Sequence, residues 1–77
     1  VILANTVINA KAIIGIGCII NSAAVIEHQC VLGAAVHISP NASLAGNVTV
    51  GAKSWVGAGA VIVNNKHIGH SVTVGAG

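Results

Sequence analysis

Counting from Ile2 in steps of six, the chain places an aliphatic residue at Ile2, Ile8, Ile14, Ile20, Ile26, Leu32, Ile38, Leu44, Val50, Val56, Ile62, Ile68 and Val74, without gap or insertion. Neither the 3.6-residue period of a helix nor the two-residue alternation of a strand selects one residue in six. Four residues after each aliphatic comes a small side chain: Thr6, Ala12, Cys18, Ala24, Cys30, Val36, Ala42, Val48, Ser54, Ala60 and Val72, with Lys66 the one exception. Glycine recurs one residue after the aliphatic, at Gly15, Gly33, Gly51, Gly57, Gly69 and Gly75. Three residues after it stand Asn5, Gly17, Asn41, Asn47, Gly59, Asn65 and Gly77. Asn and Gly tolerate left-handed backbone, so this last phase predicts a corner. The unit is a short strand, a tight corner and another short strand, with one large and one small residue pointing inward. Six residues cannot pair with themselves, so successive coils must stack to satisfy their backbone groups and bury a continuous core.

This repeat resembles that of the hexapeptide proteins, which implies an all-β fold: a left-handed parallel β-helix, a triangular prism with three hexapeptides in each coil of 18. The left-handed crossover runs against the usual rule for parallel strands and rests on the resemblance alone. Seventy-seven residues make just over four coils, a stack roughly 20 Å tall at about 4.8 Å per coil. Residues 18 apart then form columns. His28 shares one with Ala10, Gly46 and Asn64. Gln29 stacks with Lys11, Asn47 and Asn65 in a polar ladder. His37 stacks with Ile19, Trp55 and Thr73, and Asn21 with Leu3, Ser39, Gly57 and Gly75. Lys66, in an inward phase, implies either a bulge or the end of regular coil, where its ammonium reaches solvent.

Composition narrows the partners. The charged residues are Lys11, Lys53, Lys66 and Glu27, 5% of a chain that is 55% hydrophobic, against a usual charged share of about a quarter. Such a chain is not disordered. Without Arg, a basic cluster or more than one aromatic, Trp55, it has no nucleic-acid footprint. Polar residues interrupt every apolar stretch before the roughly 18 to 20 residues of a membrane span, and no basic-then-apolar leader opens the chain. Cys18 and Cys30 read as free buried thiols of a cytoplasmic protein rather than as a disulfide, since twelve residues place them on different faces. So little charge also points to a surface covered by partners, and to a single domain, 1–77, cut from a longer chain.

The polar residues that the repeat does not require gather between Asn21 and Asn47. Glu27, the lone acid, precedes His28, a side chain suited to taking a proton near neutrality. His28 reads equally well as a general base or as one exposed residue of a polar ladder.

Ile26-Glu27-His28-Gln29-Cys30-Val31-Leu32-Gly33, followed by Val36-His37-Ile38-Ser39-Pro40 and Leu44-Ala45-Gly46-Asn47-Val48, resembles one branch of the hexapeptide acyltransferases. That branch holds bacterial sugar acetyltransferases of the NeuD/PglD kind, which acetylate sialic-acid hydroxyls or nucleotide-linked amino sugars with acetyl-CoA. The nine-residue spacing of the two histidines matches. The resemblance implies His28 as general base, direct transfer without an acyl-enzyme, and Gly46 offering its backbone N–H to the thioester carbonyl. The column arithmetic independently puts Gly46 one coil from His28, where a missing side chain lets the N–H approach developing negative charge. It also implies Asn21 and His37 as substrate contacts, Gly46, Ala58 and Ala76 along the CoA path, a homotrimer with the site between subunits, and no metal. It implies a missing N-terminal nucleotide-sugar-binding domain and a missing C-terminal cap after Gly75-Ala76-Gly77. Many relatives carry an acid directly after the histidine. Here Gln29 can orient the imidazole but lends no charge, so either Glu27 compensates or His28 is a weaker base than in those relatives.

Other classes compete. A non-catalytic β-helix serving as scaffold or trimerisation unit fits the missing domain. A carbonic anhydrase on the same fold needs three histidines about zinc across a trimer interface; His28 and His37 would supply two, but their spacing fits poorly. His67 and His70 make a weak metal pair. Cys30 faces inward and reads as structural. Trp55 reads as packing at a subunit interface rather than a nucleobase platform. An ice-binding surface needs Thr ladders, and Thr6, Thr49 and Thr73 fall in different phases.

Overall fold

A computed structural model describes residues 1–76. Gly77, which the corner phase and the uncapped end include, lies outside the described residues. Twelve two-residue strands make three four-stranded parallel sheets. Sheet 1 contains β1 (Val7–Ile8), β4 (Val25–Ile26), β7 (Ser43–Leu44) and β10 (Val61–Ile62). Sheet 2 contains β2 (Ile13–Ile14), β5 (Val31–Leu32), β8 (Thr49–Val50) and β11 (His67–Ile68). Sheet 3 contains β3 (Ile19–Ile20), β6 (His37–Ile38), β9 (Trp55–Val56) and β12 (Thr73–Val74), and an Ile2–Ile20 bridge extends it into the first coil. Every pairing joins residues 18 apart, as Val7 to Val25 and His37 to Trp55. The chain is therefore a parallel β-helix of three hexapeptides per coil, measuring 26 × 24 × 23 Å. No helix among the described residues is long and apolar enough to cross a membrane.

The six-residue phase is the core. Ile20, Ile26, Ile38, Leu44 and Val56 have no exposed surface, and the small phase from Cys18 to Ala60 fills the corners between them. The outer coils are covered on one side only, so Ile8, Ile14, Ile68 and Val74 are partly buried. Polar members of the small phase add something that size alone does not predict. Thr6 Oγ1, Cys18 Sγ, Cys30 Sγ and Ser54 Oγ each donate to the carbonyl 15 residues ahead, on Asn21, Gly33, Ala45 and Gly69, at 2.5–3.1 Å. Both cysteines are free and buried.

The corner phase is left-handed throughout. From Asn5 to Ser71, every sixth residue has φ between 54° and 76°. Lys11, Ala23, Gln29, Ala35, Lys53 and Ser71 adopt it along with the expected Asn and Gly, at a cost of roughly 1–2 kcal/mol for each side chain ill-suited to it. The other glycine phase answers a different need. A Cβ on Gly33 would stand 2.7 Å from the Ala52 nitrogen, so this corner packs backbone on backbone. Lys66 is exposed. Since β11 keeps its register on β8, there is no bulge, and the lysine reaches solvent from the outermost coil.

Candidate functional site

Residues 27–30 turn the chain from sheet 1 to sheet 2, and residues 45–48 make the same corner one coil up. The coils are laced together there: Gln29 N–H bonds the Ala10 carbonyl at 3.2 Å, Asn47 N–H the His28 carbonyl at 3.0 Å, and Asn65 N–H the Gly46 carbonyl at 3.1 Å. Asn47 Nδ2 also donates to Asn65 Oδ1 at 2.9 Å, the upper half of the expected ladder. The His28 imidazole rests against Gly46. A Cβ on Gly46 would stand 2.7 Å from Nδ1, 3.4 Å from Nε2 and closest to Cε1, so the ring occupies the space of the absent side chain. Gly46 N–H has no hydrogen-bond partner among the described residues. An exposed imidazole thus lies beside a free backbone donor on a corner whose carbonyls are tied into the coil stack.

The carboxyl group of Glu27 looks the other way. Its Oε1 accepts from Asn9 Nδ2 at 2.9 Å, one coil below, and makes no hydrogen bond to His28. Gln29 is exposed and left-handed, with φ 60°. Its side-chain amide makes no hydrogen bond among the described residues.

A second cluster sits on sheet 3. Asn21 Nδ2 meets His37 Nε2 at 2.6 Å. Trp55 stacks flat on His37, with centroids 4.1 Å apart and planes 6° apart. Trp55 Nε1–H donates to Ser39 Oγ at 2.9 Å. Sequence reasoning put His37 and Trp55 in one column and missed the two bonds, each of which joins a corner to the strand 16 residues ahead. In a triangular section, the corner between sheets 1 and 2 lies opposite sheet 3. One chain therefore holds His28 with Gly46 and keeps both apart from Asn21 and His37. Ala58 and Ala76 follow sheet 3 as well, in the column of Pro40, whose carbonyl accepts Gly59 N–H at 3.0 Å. The described residues form no enclosed pocket and no group of three or more metal-ligating side chains.

No protein-family model matches the chain, and no curated protein does. Solved structures do match. Perosamine N-acetyltransferase (PerB) from Caulobacter crescentus, in complex with CoA and GDP-perosamine, superposes with a TM-score of 0.96 at 45% identity, covering 97% of this chain and 36% of that one. A variant of that enzyme with one histidine replaced by alanine, with the same ligands, matches at 44% identity over the same share of both chains, again with a TM-score of 0.96. The acetyltransferase domain of PglB from Neisseria gonorrhoeae, in complex with acetyl coenzyme A, matches at 41% identity with a TM-score of 0.74, covering 94% of this chain and 38% of that one. The chain thus spans well under half the length of these relatives.

Proposed function

Because the chain is a hexapeptide-repeat β-helix resembling the corresponding domain of bacterial sugar acetyltransferases, we propose that it carries the catalytic corner of an acetyl-CoA-dependent sugar acetyltransferase. The acceptor is the amine of a nucleotide-linked amino sugar, the class that the Caulobacter relative binds. The nitrogen lone pair attacks the thioester carbonyl and His28 takes the departing N–H proton. The carbonyl oxygen, now anionic, accepts from Gly46 N–H, a donor already in place and free. Collapse of the tetrahedral intermediate breaks the carbon–sulfur bond, and the CoA thiolate leaves with the proton held on the imidazole. No acyl group passes through the protein. Cys30 is fully buried and its thiol is engaged with the Ala45 carbonyl, which supports its structural role.

The observation that carries this reading is the His28 ring seated on Gly46. The separation of that corner from Asn21 and His37 supports a homotrimer in which a neighbouring copy brings its sheet 3 against the corner, with CoA running between copies past Gly46, Ala58 and Ala76. The free thiols suit the reducing cytoplasm. The test mixes the chain with acetyl-CoA and a nucleotide-linked amino sugar and follows free thiol with a colorimetric reagent. The expected result is acceptor-dependent release that His28→Ala reduces at least a hundredfold, within the range of a general base. Release that ignores the substitution would overturn the mechanism, and failure of the chain to bind CoA would leave it a scaffold.

A further inference from the structure

The cluster on sheet 3 is built for one arrangement of protons. Asn21 sits on the corner that leaves sheet 3, and its Nδ2 lies 2.6 Å from His37 Nε2 on the next coil; an amide NH2 can only donate, so Nε2 is the acceptor in this contact. Ser39 repeats the relation one coil up, where its Oγ accepts from Trp55 Nε1–H at 2.9 Å. Ser39 is 6% exposed, so its hydroxyl is held in place. Trp55 is tied at its nitrogen and lies flat on the imidazole, which fixes the plane of the ring. A neutral imidazole that accepts at Nε2 carries its proton on Nδ1.

We propose that Asn21, Ser39 and Trp55 are positioning residues that hold His37 as its Nδ1–H tautomer, so that it presents a hydrogen-bond donor, not a base, to an oxygen atom of a ligand on this face. Asn21 sets the tautomer, while Trp55, anchored by Ser39, sets the orientation of the ring. The identity of that ligand, a thioester or a sugar nucleotide, rests on the proposed function; the tautomer does not. His28 carries no such side-chain hydrogen bond among the described residues, so the two histidines differ: no bond sets the tautomer at the corner, and one does on the opposite face.

The experiment is a long-range proton–nitrogen correlation spectrum of the chain labelled with nitrogen-15 histidine, in mildly alkaline buffer where imidazoles are neutral, with His37→Ala to assign the resonance. The expected spectrum shows His37 as the Nδ1–H tautomer, whereas exposed His67 and His70 follow the Nε2–H preference of free imidazole. Asn21→Ala returns His37 to that preference. Ser39→Ala and Trp55→Phe, each of which removes one end of the indole anchor, shift the populations towards it. An Nε2–H tautomer in the unaltered chain overturns the proposal without any variant. A spectrum indifferent to both Ser39→Ala and Trp55→Phe removes those two residues from it. No substrate is present, so an inactive chain with an Nδ1–H His37 sinks only the proposed function, and an active chain with an Nε2–H His37 sinks only this inference.

Discussion

On the proposed mechanism, replacing Gly46 with alanine separates catalysis from folding. The added methyl group stands 2.7 Å from His28 Nδ1 and closer still to Cε1, against contact distances of about 3.5–4.0 Å. The ring must therefore retreat by roughly 1 Å. Gly46 is not in the left-handed region, so alanine brings no backbone strain. What gives way is an exposed side chain, and the stability cost falls within the roughly 0.5 kcal/mol of ordinary surface changes. The catalytic cost is large, since a displacement of 1 Å costs on the order of 100-fold in rate. Gly33→Ala is the contrast. Its methyl group meets the Ala52 nitrogen at 2.7 Å, and backbone cannot step aside, so the expected loss is about 2–4 kcal/mol of stability. The assay pairs thiol-release kinetics with thermal unfolding on both variants. A Gly46→Ala protein with unchanged turnover, or one destabilised as much as Gly33→Ala, refutes the reasoning.

Three further outcomes follow from the repeat. Ala35 is left-handed at φ 57°, so Ala35→Gly raises stability by about 0.5–1 kcal/mol in denaturant titration once the flexibility of glycine is set against the relief. The same change at neighbouring Ala34, outside that region, lowers it. Ile38 has no exposed surface, and Ile38→Ala costs about 2–5 kcal/mol in the same titration. Gln29→Glu places a carboxylate directly after His28, where it can stabilise the imidazolium. Turnover by thiol release stays equal or rises, and a clear loss would count against Gln29 as an orienting residue.

The core was legible because its signal is redundant: thirteen aliphatics in one phase leave no other partition of inside and outside. The corner was half legible. Asn and Gly marked it at Asn5, Gly17 and Asn41, yet Lys11, Ala23 and Gln29 take the same conformation, because stacking between coils outweighs a preference of about 1–2 kcal/mol. Columns 18 apart placed His28 under Gly46 and His37 under Trp55. They could not show Asn21 on His37 or Ser39 on Trp55, since those bonds run diagonally over 16 residues and depend on side-chain reach. Glu27 was expected to serve His28 because it is adjacent in sequence. It turns instead to Asn9, the neighbour one coil away, as the columns imply for residues 18 apart.

The most direct test is a crystal structure of the chain with CoA bound. The account predicts the pantetheine thiol beside the His28 imidazole, with Gly46 N–H facing the position of the thioester carbonyl and Asn21 and His37 of another copy close by. CoA bound away from the corner at residues 27–30 and 45–48, or a thiol out of reach of His28, would contradict it.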